Sequence, residues 1–198
     1  LDLTGYSVAV EISKTMNFLG DKRTEAVVIN KHTNPAVFAT RAQQVDALTA
    51  ALPSDPKSPF GGVMATSSRL TRETTDFLVQ KNRAERFVLD VLCAPGFEDG
   101  CAEILADVMK NLRIIDVSAL GSWEQINSGI FGYNMKWTIG NKPVITEVDQ
   151  VAFFNHKFGM EVLSRRQPTD TEMKDAHIAW IAAKSLQSNS FAFVKDGV

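Results

Sequence analysis

Ala26-Val27-Val28-Ile29-Asn30-Lys31-His32-Thr33-Asn34-Pro35 is the stretch that decides how this chain is organised. Val27, Val28 and Ile29 are β-branched and bounded by polar residues, the make-up of a buried strand. Lys31 and His32 follow directly. Pro35 has no N–H to give a ladder, so it keeps the strand from continuing as a central one. In α/β proteins the carboxyl ends of strands border the ligand crevice, and a Lys-His pair placed there can face a substrate. Histidine can take a proton near neutrality, and a neighbouring ammonium can steer charge or stabilise an oxyanion. The same residues also read as a solvated loop lysine and a turn histidine.

Helical and strand-like patterns alternate on either side of this stretch. Residues 6–19 carry apolar positions at Val8, Ile12, Met16 and Leu19, the spacing of an amphipathic helix ending near Gly20. A second helix is expected over residues 43–52, stopped by Pro53. Then comes Asp55-Pro-Lys-Ser-Pro-Phe60-Gly61-Gly62, opening a short strand. Adjacent glycines allow backbone N–H groups close to a ligand, or make a plain proline-glycine turn. Thr71 can cap a helix through about residue 81, with Phe77 and Leu78 inward. Residues 86–95 form a buried strand interrupted by Asp90, a carboxylate that needs a partner in the fold or a ligand at the sheet edge. Residues 98–110 are helical and residues 112–117 again strand-like. This alternation predicts an α/β layered core over residues 1–117 with a partly parallel sheet.

From residue 118 to 165 the pattern loosens into irregular β-structure rich in aromatic residues, among them Trp123, Phe131, Tyr133, Trp137, Phe153 and Phe154. Residues 166–198 return to order. Thr169 as N-cap and Glu172 three residues later form a capping box, and Met173, Ala176, Trp180 and Ala183 are expected on the buried face of the helix that follows. Residues 191–194 predict a strand, and Lys195-Asp196-Gly197 a hairpin turn. A turn followed by one residue, and a helix with no strand ahead of it, suggest a piece of a longer protein.

Composition excludes several functions. The net charge is −2 in 198 residues, with a pI near 5.9, so no long-range field draws nucleic acid or anionic lipid. Mean hydropathy is −0.07, and no apolar run approaches the length that spans a bilayer. Two cysteines, Cys93 and Cys101, suit a reducing, cytoplasmic compartment. The Cys-x-x-Cys and His-x-Glu of a zinc deaminase are both missing, and the histidines, His32, His156 and His177, are scattered.

Five stretches in series carry a resemblance: Lys31-His-Thr-Asn-Pro35, Ser58-Pro-Phe-Gly61-Gly, Asp90 on to Ala94-Pro95-Gly-Phe, Arg166-Gln-Pro-Thr169, and Gln187-Ser-Asn189-Ser followed by Lys195-Asp-Gly197. In this order they resemble the AICAR transformylase/IMP cyclohydrolase family, in its transformylase portion. The resemblance implies a three-layer α-β-α fold with a mixed sheet, cytidine-deaminase-like but zinc-free. It implies formyl transfer from 10-formyltetrahydrofolate to the 5-amino group of aminoimidazole carboxamide ribonucleotide. His32 would be the base at the attacking amine, Lys31 would aid proton transfer and stabilise the oxyanion, and Asn189 would orient the formyl group. Asn34, Phe60, Gly61 and Gly62 would line the substrate or folate, and Asp90 would bond the carboxamide or a pterin nitrogen. A homodimer is implied, with no metal, nucleic acid or membrane partner. The chemistry suits such residues, because an amine conjugated to an imidazole carboxamide is a poor nucleophile and needs a base and tight positioning.

There are departures. Ala36-Val37 stands where the family has Cys-Gly. The glycine-rich stretch beyond the Lys-Asp-Gly turn and the upstream arginine motif are not in this sequence, so little activity is expected from it alone. A non-catalytic paralogue that binds a purine ribonucleotide, or pairs with an active subunit, is the alternative from another class. A nucleoside deaminase is a third, opposed by the cysteine count.

Overall fold

The computed structural model describes residues 3–120, 133–137, 143–147, 161–186 and 189–198. They divide into two units, residues 1–117 with 164–198, and residues 118–163.

In the first unit, strand β1 (Glu25–Lys31) has layers of helix on both sides. Successive side chains of a strand point to opposite faces. Ala26 and Val28 enter one core with Val8, Ala9, Ile12 and Met16 of helix α1 (Thr4–Phe18) and Ile178 and Ile181 of the last helix, α5 (Asp170–Lys184). Val27 and Ile29 enter the other core. There they meet Ala47, Leu48 and Ala51 of α2 (Gln44–Ala51), Leu78 of α3 (Arg72–Glu85) and Leu105 of α4 (Cys101–Val108). Burial on both faces is why residues 26–29 read as a continuous apolar run.

The five-stranded sheet runs β2-β1-β3-β4-β5, with β2 (Asn34–Arg41), β3 (Gly62–Thr66), β4 (Leu89–Ala94) and β5 (Arg113–Asp116). β1 is antiparallel to both its neighbours, while β3, β4 and β5 are mutually parallel, so the α/β sheet is mixed.

The expected helices and strands of residues 4–117 are present, with one addition. β2 was not foreseen from the sequence, where Pro35 was read only as barring a central strand. Pro35 is tolerated because β2 is the edge strand. Thr71 caps α3 by accepting Thr74 N–H at 3.2 Å. The capping box of α5 is complete: Thr169 Oγ1 accepts Glu172 N–H at 3.2 Å, and Glu172 Oε2 accepts Thr169 N–H at 2.8 Å.

The buried face of α5 is a correction. Asp175, Ile178, Ile181 and Ala182 are buried, whereas Trp180 is exposed and Met173, Ala176 and Ala183 only half-buried. Asp175 is drawn inward because it accepts three hydrogen bonds, from Arg23 Nη1 at 3.2 Å, Asp196 N–H at 2.6 Å and Gly197 N–H at 2.9 Å. Residues 191–194 are a second correction. They form no strand, and Phe191 and Phe193 project their rings outward, 74% and 84% exposed, with centroids 5.1 Å apart. Among the described residues no strand lies beside them. The turn after them is as expected: Lys195 and Val198 exchange backbone hydrogen bonds of 2.9 and 3.1 Å around Asp196 and Gly197.

The second unit contains an antiparallel pair, β6 (Tyr133–Trp137) and β7 (Pro143–Glu147). Trp123, Phe131, Phe153, Phe154, His156, Gln187 and Ser188 lie outside the described residues. Among the described residues no helix is long and apolar enough to cross a membrane, and no group of three or more His, Cys, Asp or Glu side chains could hold a metal ion.

Candidate functional site at the β1–β2 hairpin

Lys31 and Asn34 are the last paired residues of β1 and β2, which leaves His32 and Thr33 as a two-residue loop. Both have positive φ, 51° and 68°. Two-residue hairpins require this, and Asn-Gly or Asp-Gly normally supplies it. A β-branched residue at positive φ is an outlier, and each non-glycine residue held there costs roughly 1–2 kcal/mol. Strain of this kind persists only where the surroundings enforce it, and it collects at functional sites. One enforcing contact is visible, Asn34 Nδ2 donating to the His32 carbonyl at 3.1 Å. His32 is exposed at the tip.

Lys31 leans toward a different loop. Its ammonium donates to the carbonyl oxygens of Phe60 at 2.6 Å and Gly61 at 3.2 Å. Residues 59–62 make a tight turn closed by Gly62 N–H to Pro59 O at 2.9 Å, with Gly61 at φ +66°. Gly61 N–H reaches Val88 O at 2.9 Å, which ties this turn to the start of β4. A Cβ on Gly61 would stand 3.3 Å from Lys31 Nζ and 3.7 Å from Asp90 Oδ1, so the ammonium and the carboxylate both flank that glycine. Gly62 has another reason to be glycine: a Cβ there would lie 2.6 Å from Ile29 Cγ2 and 2.9 Å from Asn30 O. Packing against β1 alone accounts for it.

Two β-bulges flank this cluster. Ile29 pairs with Val37 and Asn30 with Pro35, which leaves Ala36 as the extra residue on β2. Gly62 pairs with Leu89 and Val63 with Val91, which leaves Asp90 extra on β4. Bulges re-aim side chains and are common beside active sites. The second one resolves the carboxylate inside an apolar strand, because Asp90 is exposed while Leu89 and Val91 are buried.

The position of the site departs from the sequence expectation. Lys31 does sit at the carboxyl end of its own strand. β1 is antiparallel to β3, however, so this end coincides with the amino ends of β3 and β4, at Gly62 and Leu89. The carboxyl ends of the parallel strands are closed by their own loops. There Leu70 N–H bonds Gly96 O at 3.0 Å, and Glu98 caps α3 through Arg72 N–H at 2.7 Å.

Lys31, Phe60, Gly61, Gly62 and Asp90 therefore come together, with His32 and Asn34 on the adjoining hairpin. Asn189 stands exposed beyond α5, and no hydrogen bond among the described residues joins it to Lys31 or His32. His177 lies on α5, where burial pushes its pKa below the ordinary value. One residue escaped the sequence reading. Asp55 accepts Lys57 N–H at 2.9 Å, Ser58 N–H at 3.1 Å and the Ser58 hydroxyl, and these bonds, the hydroxyl first, lower its pKa. The visible signal was an aspartate two and three residues ahead of turn N–H groups.

The AICARFT/IMPCHase bienzyme family matches residues 3–198. The chain belongs to this family. Relatives include the bifunctional purine biosynthesis protein PurH of Chlorobium phaeobacteroides, 30% identical over 191 residues, which are 96% of this chain and 33% of that protein. PurH of Chlorobium chlorochromatii and of Pelodictyon phaeoclathratiforme are each 29% identical over 96% of this chain and 32% of their own length. The chain thus spans about a third of the relatives of this bienzyme family that it matches.

Proposed function

We propose that this chain carries part of a folate-dependent formyl-transfer site of purine biosynthesis. The donor would be 10-formyltetrahydrofolate and the acceptor the 5-amino group of aminoimidazole carboxamide ribonucleotide. One observation carries the reading: an ammonium, two loop carbonyls and an exposed carboxylate converge at Gly61, beside a histidine on a strained loop. A pterin or carboxamide offers both donors and acceptors, and such an edge suits it. When bound, the folate supplies the formyl carbon. His32 would remove the proton as the amine nitrogen bonds that carbon, Lys31 would hold the oxyanion, and release of the folate N10 with a proton completes the exchange. Asn189, the homodimer, a cytoplasmic location and kinship with the cytidine-deaminase fold without its zinc belong to the same proposal.

The test is formyl transfer by the full-length polypeptide that carries this chain. His32→Ala is expected to lower kcat on the order of 10²-fold or more, with KM little changed. An unchanged kcat sinks the assignment. A second reading has its own support. Val37, which replaces the family's glycine beside the hairpin, is buried in the core. A ribonucleotide-binding paralogue without catalysis would bind the nucleotide yet show no turnover in the same assay.

A further inference from the structure

The contacts around residues 55–62 form a chain that ends on Lys31. Asp55 Oδ1 receives Lys57 N–H and Ser58 N–H, and its other oxygen receives the Ser58 hydroxyl. That carboxylate fixes the entry to the loop. Phe60 N–H then closes on Lys57 O at 3.3 Å, and Gly62 N–H on Pro59 O at 2.9 Å. Pro59 is buried, which limits the freedom of the turn further. What remains outward are the carbonyls of Phe60 and Gly61, the two groups that take the Lys31 ammonium.

We propose that Asp55 is a positioning residue for Lys31: it acts through residues 56–61, aiming the Phe60 and Gly61 carbonyls that hold the ammonium in place. This rests on the formyl-transfer reading only for its catalytic consequence. An ammonium has three N–H donors. Two are spent on the loop, and the third is left for Asp90 or a substrate oxygen. Losing the clamp frees Lys31 to rotate among many rotamers, and a misplacement of about 1 Å can cost on the order of 10²-fold in rate.

The test reads Lys31 directly, without requiring activity. Reductive methylation of the 198-residue chain, quantified by mass spectrometry, gives the labelling rate of Lys31 against Lys110 as internal reference. Asp55→Ala should raise that ratio about fivefold, the factor for loss of one ordinary hydrogen bond. Asp55→Glu, which keeps the charge but not the geometry, should do the same and carries the test if the alanine variant unfolds. Asp55→Asn retains an oxygen for both N–H groups and should label like wild type. In the full-length polypeptide Asp55→Ala should lower kcat about tenfold with KM little changed, and Asp55→Asn should restore it. The proposal is overturned if Lys31 labels at the wild-type ratio in both Ala and Glu variants, or if Asn loses protection equally. An inert His32→Ala variant would instead remove the formyl-transfer reading and leave the labelling result standing.

Discussion

Two tight turns in this molecule have similar left-handed φ values and differ in their residues and fastenings. His32-Thr33 has φ values of 51° and 68°; Asp196-Gly197 has 53° and 77°. Asp-Gly is a pair that such a turn favours, and His-Thr is not. The Asp-Gly turn is also heavily held. Asp175 takes both its N–H groups, Gly197 O accepts Thr40 N–H at 2.8 Å, and Arg41 donates to Asp196 O at 2.7 Å. The His-Thr turn has the Asn34 Nδ2 contact to the His32 carbonyl and an exposed imidazole. The first is a fastening between α5 and β2. The second keeps costly residues where cheaper ones would fold better, and that cost is what nominates it as a candidate site.

That contrast can be broken in four ways. Asp175→Ala leaves the buried Gly197 N–H, the part-buried Asp196 N–H and the Arg23 guanidinium each short of a partner, and should destabilise by about 3–4 kcal/mol, read as a lower urea midpoint. Gly197→Ala should cost about 2–3 kcal/mol in the same measurement. Its φ is left-handed, and a Cβ would stand 2.9 Å from Thr40 Cγ2 and 3.1 Å from Thr40 O. Thr33→Gly should have the opposite sign, a gain of about 0.5–1 kcal/mol as strain is relieved against the added chain entropy. A loss of stability there would show that the His-Thr loop is not strained, and the comparison would fail.

The smallest effect is acid sensitivity. The Arg23 guanidinium beside Asp21, with Lys174 at 3.3 Å, holds the Asp21 carboxyl well below its ordinary value of 3.8. A depressed carboxylate pKa means the stabilisation is complete above the ordinary value and is lost as pH falls through the lower, folded one. Arg23 also pairs with Asp175, so acid should loosen the Asp196-Gly197 turn. Amide exchange at Asp196 and Gly197 should accelerate below about pH 4, and Asp21→Asn should give fast exchange at neutral pH too. At the capping box, Arg166 and the Thr169 N–H hold Glu172 down to about 2, which carboxyl chemical shifts can follow.

Most of the architecture was legible locally. Thr71, Thr169 with Glu172, and Asp196-Gly197 are side-chain and backbone chemistry acting over three or four residues, and each performs the role its neighbours implied. The five-motif series also pointed to the right family. What failed was non-local. Pro35 barred a central strand, but nothing in its neighbourhood says that an edge strand, β2, stands there instead. The face of α5 was misplaced because Asp175, a polar residue, is buried by Arg23 from 152 positions away. Within the candidate site Lys31, Gly61 and Asp90 could be nominated singly, but their gathering around one turn could not.

The sequence by itself determined the buried run of β1, the capped ends of α3 and α5, and the presence of an ionisable pair just past a strand. These follow from side-chain branching, hydrogen-bonding reach and proline geometry within a few residues. Only the tertiary structure decided that β1 runs against β3 and that Asp90 is turned outward by a bulge. It thereby put Lys31 over the amino ends of the parallel strands. Strand direction and register depend on pairing with distant segments, and no local preference contains that information.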